Sequence, residues 1–156
     1  MTFTYGTLCS GIEGAAVAFD GLGWDHVYSA EVDPFCCKLL AAKYPGVPNL
    51  GDITTATPPA VRLIVAGTPC QSFSTAGKRL GMADVRGQLA LRFVEILDAT
   101  RPKWIIWENV PGALSSNRGR DFGAFLGGLG ELGYGWAYRI LDAQHFGVPQ
   151  RRRRVF

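Results

Sequence analysis

The chain has 156 residues, the size of one domain, and a chain of that length buries about 70% of the surface its unfolded form exposes. At 47% hydrophobic and 19% charged residues it is neither disordered nor fibrous, and no run of 18 uninterrupted apolar residues could span a membrane. The net charge of +3 is uneven: residues 1–100 carry 7 basic and 9 acidic side chains and residues 101–156 carry 9 and 4, a distribution compatible with a polyanionic partner.

Strands and helices alternate along the chain. "FTYGTLCSG" reads as a strand ending at Gly11, and "IEGAAVAFDGLGW" as a small-residue helix stopped by Gly21 and Gly23. "HVYSAEV" is the next β-prone run. In "DPFCCKLLAAKYPG" Asp33 can cap a helix, Pro34 suits its first position, and Pro45 with Gly46 ends it. "VPNLGDI" is a third short run, and the unbroken aliphatic stretch of "VRLIVAG" reads as a strand covered on both faces. "RGQLALRFVEILDATRP" spaces Leu89, Phe93, Ile96 and Leu97 as one helical stripe closed by Pro102, and "PKWIIWENV" reads as another buried strand. "FGAFLGGLGELGYG" sets Phe122, Phe125, Leu126, Leu129 and Leu132 on a helix face, while "WAYRILDA" and "RRRRVF" read as extended. The alternation predicts a doubly wound α/β fold with a mainly parallel sheet, in which ligands bind beyond the carboxyl ends of the strands.

Cys9, Cys36, Cys37 and Cys70 include an adjacent pair and no CxxC, so neither a disulfide framework nor a zinc site is indicated; the thiols are expected to be mostly buried. His26 and His145 are too few and too far apart in sequence for a catalytic metal. "MTFTYGTLCSG" lacks the basic head and apolar stretch of a signal peptide, which points to the cytoplasm.

Four stretches carry candidate chemistry. "TLCSGIEG" puts small residues where a strand turns into its helix, allowing close approach of a ligand or serving the turn alone. Glu31, about 20 residues on, can accept both hydroxyls of a ribose, and Asp52 is a further polar group at the same edge; helix capping or a solvated loop is the alternative for both. In "AGTPCQSFS" Cys70 follows a buried strand in an ordered loop, the setting a nucleophilic thiolate needs beside a positive charge or helix dipole. "WENVPGAL" supplies Glu108 and Asn109. An acid there must be solvated, paired or hydrogen bonded, and a raised pKa would let it donate a proton. "QRRRRVF" is by itself a solvated basic tail. In an extended strand, however, Arg152 and Arg154 share one face and Arg151 and Arg153 the other.

Taken in order, these residues resemble the DNA (cytosine-5) methyltransferase family from "TLCSGIEG" to the final residue. "TPCQ" is similar to its Pro-Cys-Gln motif, "ENV" to Glu-Asn-Val and "GVPQRRRRVF" to Gln-x-Arg-x-Arg, with "SAEVDPF", "GDI" and "RGQL" between them. The resemblance implies that Cys70 adds to carbon 6 of a flipped cytosine while Glu108 shares a proton with ring nitrogen 3, and that Arg152 and Arg154 hold the base and its phosphate. It implies S-adenosyl-L-methionine as cofactor, with Glu31 on the ribose, Val32 beside it and Asp52 and Ile53 on the adenine. Cys9, Ser10, Gly11, Ile12 and Gly14 would lie at the methionine end and Pro69 would complete the pocket. Gln71 and Asn109 would support the cysteine loop.

The partner implied is double-stranded DNA in a bacterial or phage-type setting of restriction and modification. Thr7 and Cys9, and Glu13 before Gly14, depart from the family's acid, Leu, Phe and closing Gly-Gly, and Val32 stands where an aromatic is common. Family members continue with a target recognition domain and a closing segment. Residues 1–156 are therefore expected to form a partial, C-terminally truncated catalytic domain whose last strand is cut, weakening the sheet. A second chain could supply recognition. The alternatives are a noncatalytic cofactor- or DNA-binding fragment and a nicotinamide oxidoreductase, which would leave "PCQ", "ENV" and the arginines without a role.

Overall fold

The structure, a computed structural model, describes residues 2–68 and 85–156, with side chains from residue 89 in the second segment. The chain divides into two compact units, one formed by residues 1–67 and 95–107 and the other by 68–94 and 108–156.

In the first unit, β1 (Thr4–Leu8), β2 (Asp25–Ala30), β3 (Leu63–Ala66) and β4 (Trp104–Trp107) form a four-stranded sheet in the order β2-β1-β3-β4. Every pairing is parallel. Parallel neighbours require crossovers, and the crossover from β1 to β2 holds α1 (Gly14–Phe19). That from β2 to β3 holds α2 (Pro34–Lys43). The central strands β1 and β3 place Leu8, Leu63, Ile64 and Ala66 at 2% exposure or less, as the unbroken aliphatic run of β3 predicts for that strand. Gly6 is required by packing: a Cβ there would collide with the ring of fully buried Tyr28. Asp33 caps α2 by accepting a bond from the Cys36 amide at 2.9 Å, with Pro34 at the first position.

Three expectations are corrected. The helix expected from Ile12 begins at Gly14, because Gly11 (φ 55°) and Glu13 (φ 67°) hold left-handed backbone that a right-handed helix cannot include. "VPNLGDI" forms no strand and contributes one parallel bridge, Ser29 to Asn49. The Asn49 side chain takes over the pairing: its Oδ1 accepts from the Glu31 amide at 2.9 Å and its Nδ2 donates to the Glu31 carbonyl at 3.1 Å. β4 is not covered on both faces. Trp104 is 62% and Ile106 37% exposed, while Trp107 is buried, so alternate residues of β4 put one face out and only the other is packed.

Helix α3 (Val85–Thr100) runs through both units. Its stripe of Phe93, Ile96 and Leu97 is at most 2% exposed, and Leu89 is half-buried. In the second unit Phe93 stacks on Phe125 of α4 (Arg120–Glu131), with ring centroids 6.2 Å apart. Phe122, Phe125 and Leu129 form the buried face of α4, and Gly119 (φ 83°) supplies the left-handed turn into it. β5 (Ile140–Asp142) and β6 (Arg153–Val155) pair antiparallel as a separate two-stranded sheet, so the expected late strands are present outside the parallel sheet. Among the described residues no helix is long and apolar enough to cross a membrane.

Candidate functional site

In the first unit, the turn after β1 and the end of β2 are joined by side chains. Glu31 is half-buried. Its Oε2 accepts from the Gly11 amide at 2.6 Å, and its Oε1 accepts from the amides of Val32 and Asp33, each at 2.8 Å. Ser10 donates its backbone amide to the Ala30 carbonyl at 3.2 Å, so the turn is stitched to the end of β2 at consecutive residues. Cys9 (φ 53°) and Gly11 leave the ordinary backbone regions, and Gly11 has open space around the position of an added Cβ. Burial, then the charges of Glu31 and Asp52, push the Cys9 thiol up to about 11 and keep it protonated near neutrality. Both carboxylates therefore act on the same turn. Asp52 Oδ1 accepts from the Thr54 amide at 2.8 Å. Ile53 is buried at 4% exposure, whereas Ile12 and Val32 stand 64% and 63% exposed. Cys9, Cys36 and Cys37 are half-buried rather than buried.

Glu13 was not singled out as a site residue by sequence. It is fully buried, and its Oε2 accepts bonds from Thr7 Oγ1 and Ser29 Oγ at 2.8 Å each, with His26 Nε2 at 3.8 Å. A left-handed, non-glycine residue costs on the order of 1–2 kcal/mol, which these bonds offset.

In the second unit, Glu108, Arg152 and Arg154 line one cavity of 330 Å³ with Phe146, Val148 and Phe156, a size within the roughly 300–1,000 Å³ of small-ligand sites. Arg154 Nε lies 2.9 Å from Glu108 Oε1. Arg151 and Arg153 line a different cavity with Asp142 and His145, so neighbouring arginines of the run face opposite ways. Asn109 is buried. Its Nδ2 donates to the Thr68 carbonyl at 2.8 Å, its Oδ1 accepts from the Val110 amide at 2.9 Å, and its backbone exchanges bonds with Val155 at 2.9 and 2.8 Å.

Asp142 escaped the sequence reading. Its Oδ1 accepts from the Arg152 amide at 3.0 Å and the Gln144 amide at 3.3 Å, fixing the backbone from which Arg152 projects. An Asp ending a β-prone run, two residues before Gln144, is a capping signal that could have marked it. Pro69, Cys70 and Gln71 lie outside the described residues.

The family model for C-5 cytosine-specific DNA methylase matches residues 3–156. The chain belongs to that family. It is 40% identical over 154 residues to Type II methyltransferase M2.BsuMI of Bacillus subtilis, covering 96% of this chain and 40% of that protein. It is 36% identical over 170 residues to Type II methyltransferase M.AquIA of Picosynechococcus sp., covering 96% and 68%. A protein of Escherichia phage P1 named DNA N-6-adenine-methyltransferase is 38% identical over 97% of this chain and 28% of its own length. The chain thus spans between 28% and 68% of the length of these three relatives. The crystal structure of the S. pombe Dnmt2 methyltransferase matches with TM-score 0.80 at 24% identity, over 98% of this chain and 49% of that one, and shows the shared Rossmann-like fold.

Proposed function

We propose that this chain carries the methyl-donor site and the base-activating groups of a DNA (cytosine-5-)-methyltransferase acting on duplex DNA. The observation that carries the reading is Glu108, held at one oxygen by Arg154 in a cavity that Arg152 also lines. These residues stand at the family's Glu-Asn-Val and Gln-x-Arg-x-Arg positions.

Carbon 5 of cytosine is a poor nucleophile and must be activated. Cys70 attacks carbon 6 as a thiolate, forming a C–S bond, while Glu108 holds a proton at ring nitrogen 3 and draws the electron pair into the ring. Arg154 lies against Oε1 of Glu108, and Oε2 is the oxygen assigned to the base. Arg152 offers its cation to a phosphate or to the ring carbonyl. Asn109 anchors Thr68, two residues before Cys70. Loss of the carbon 5 proton to a base, with rupture of the C–S bond, returns the thiolate. A stacked base cannot reach such groups, so the cytosine must be flipped out of the duplex.

S-adenosylmethionine supplies, when bound, an electrophilic methyl group to carbon 5. The first unit fits such a molecule. Glu31, already accepting three amides, keeps acceptor capacity for a ribose hydroxyl. Asp52 offers a second acceptor, exposed Ile12 and Val32 offer apolar surface, and Gly11 presents backbone without a side chain. Cys9, Ser10 and Gly14 complete the turn, Ile53 follows Asp52 on the adenine side, and Pro69 and Gln71 flank Cys70 in sequence. The cytoplasm is where such an enzyme meets DNA.

Methylation of an adenine amine, which the phage relative's name describes for that protein, needs no covalent activation and gives Cys70 no task. The test incubates the chain with S-adenosylmethionine and DNA containing 5-fluorocytosine, alone and with a recognition domain added as a second chain. Wild type should form a denaturation-stable adduct and Cys70→Ser none. Folded wild-type protein that forms no adduct under either condition, or that labels adenine instead, overturns the reading. Cofactor or DNA binding without transfer would leave the noncatalytic alternative.

A further inference from the structure

The turn between β1 and α1 holds three left-handed residues, Cys9, Gly11 and Glu13, within five positions. Two of them are not glycine, and such backbone persists where the surroundings over-determine it. The over-determining element is a hydrogen-bond chain that ends on Glu13. Thr7 Oγ1 donates its single hydrogen to Glu13 Oε2 at 2.8 Å. Thr7 can then only accept from Ser10 Oγ, also 2.8 Å away. Ser10 Oγ, having spent its hydrogen, is left to accept from the Ala30 amide at 3.2 Å. With Glu13 Oε2 accepting at the head of the chain, each hydroxyl behind it points the same way.

Without that acceptor the hydrogens have a second arrangement. The Thr7 hydroxyl can turn to Ser10, and the Ser10 hydroxyl can turn to the Ala30 carbonyl, 3.3 Å away. The Ala30 carbonyl already accepts the Ser10 amide, and the next residues are Gly11 and Glu31, joined at 2.6 Å. The orientation chosen by Glu13 is thus transmitted to the contact that fixes the glycine turn against the proposed ribose acceptor. Glu13 itself is fully buried, one of its oxygens is without a hydrogen-bond partner, and it has no route to the ligand.

We propose that Glu13 is a positioning residue, which sets the affinity of the Ser10–Gly11 turn for an adenosine-bearing cofactor by imposing one direction on the Thr7–Ser10–Ala30 hydrogen-bond chain. The inference rests on the methyl-donor reading of this unit. Ser29 also donates to Glu13 but lies outside the chain, so it holds the carboxylate without relaying its direction.

The test measures S-adenosylmethionine affinity of the 156-residue chain by titration calorimetry, with melting temperature recorded for each variant. Thr7→Val cuts the chain at an isosteric side chain and should weaken binding roughly tenfold, the scale of one hydrogen bond to a charged group. Glu13→Gln keeps an acceptor oxygen and should lose less than Thr7→Val, and Ser29→Ala should lose least. Leu63→Ala, in the core of β3, should lower the melting temperature and leave affinity unchanged. If Thr7→Val and Glu13→Gln bind as wild type does, the positioning role is overturned. It is equally overturned if affinity merely follows melting temperature across the set, Leu63→Ala included. A folded wild-type chain that takes up no cofactor would instead overturn the methyl-donor reading itself.

Discussion

Arg154 Nε sits 2.9 Å from Glu108 Oε1 in one cavity, while Arg153, the residue before it, lines another. A run of four arginines is therefore two pairs with different surroundings. Arg154→Ala removes a charge-assisted bond to the proposed proton-holding group and should slow 5-fluorocytosine adduct formation roughly 10- to 100-fold. Arg153→Ala should slow it less than about twofold, since long surface charges contribute little. Equal losses in the two variants, measured at one salt concentration, would return the run to a nonspecific basic tail.

Asn109 is the second test, because its side chain is buried and both ends are used. Asn109→Asp keeps the acceptor for Val110 but loses the donor to the Thr68 carbonyl. A buried carbonyl without its partner costs about 1–3 kcal/mol, to be read as a lower urea midpoint. Adduct formation should fall further than stability accounts for, because Thr68 leads directly toward Cys70. Adduct rates in the folded variant equal to wild type would remove Asn109 from the support of that loop.

Glu31 holds three backbone amides at once. Glu31→Ala frees all three and should weaken S-adenosylmethionine binding at least tenfold, with loss of order in the glycine turn. Glu31→Gln retains one acceptor oxygen and should fall between. Calorimetric affinities for the three proteins check the order, and an alanine variant that binds like wild type contradicts the ribose role.

Much of this was legible because the signals are local. Asp33 and Pro34 start α2 through chemistry contained within four residues, and the opposed faces of Arg153 and Arg154 follow from the two-residue period of an extended chain. What escaped depends on partners distant in sequence. Trp104 and Ile106 read as core, yet their exposure depends on which elements pack on that face of β4, which no window of sequence contains. Asn49 read as part of a short strand, and only its meeting with Glu31 reveals a side chain doing a backbone's pairing. Glu13 read only as a departure from the family's closing Gly-Gly. Its burial is made affordable by hydroxyls from Thr7 and Ser29, the second of them 16 residues away.

His26 gives the last prediction, one of stability against pH. Its ring stacks on Tyr5 with centroids 4.6 Å apart, and its Nε2 meets the Tyr28 carbonyl at 3.1 Å and Ser29 Oγ at 3.2 Å. Burial lowers its pKa below the ordinary 6.5, while nearby Glu13 and the Tyr28 carbonyl oppose the shift in part. The folded chain therefore holds a neutral ring where the unfolded chain would take up a proton. The contribution to stability is complete above about pH 6.5 and is lost as the pH falls toward the lowered value, since the unfolded state binds more protons across that window. Asp33, lowered by the Cys36 amide, adds a separate loss only in stronger acid, below its ordinary 3.8. Melting temperatures between pH 7.5 and 5 should fall for wild type and fall less steeply for His26→Gln. Glu13→Gln removes the opposing charge, so His26 should drop further and the loss should extend to lower pH. A wild-type melting temperature flat across this range would contradict a buried neutral imidazole at position 26.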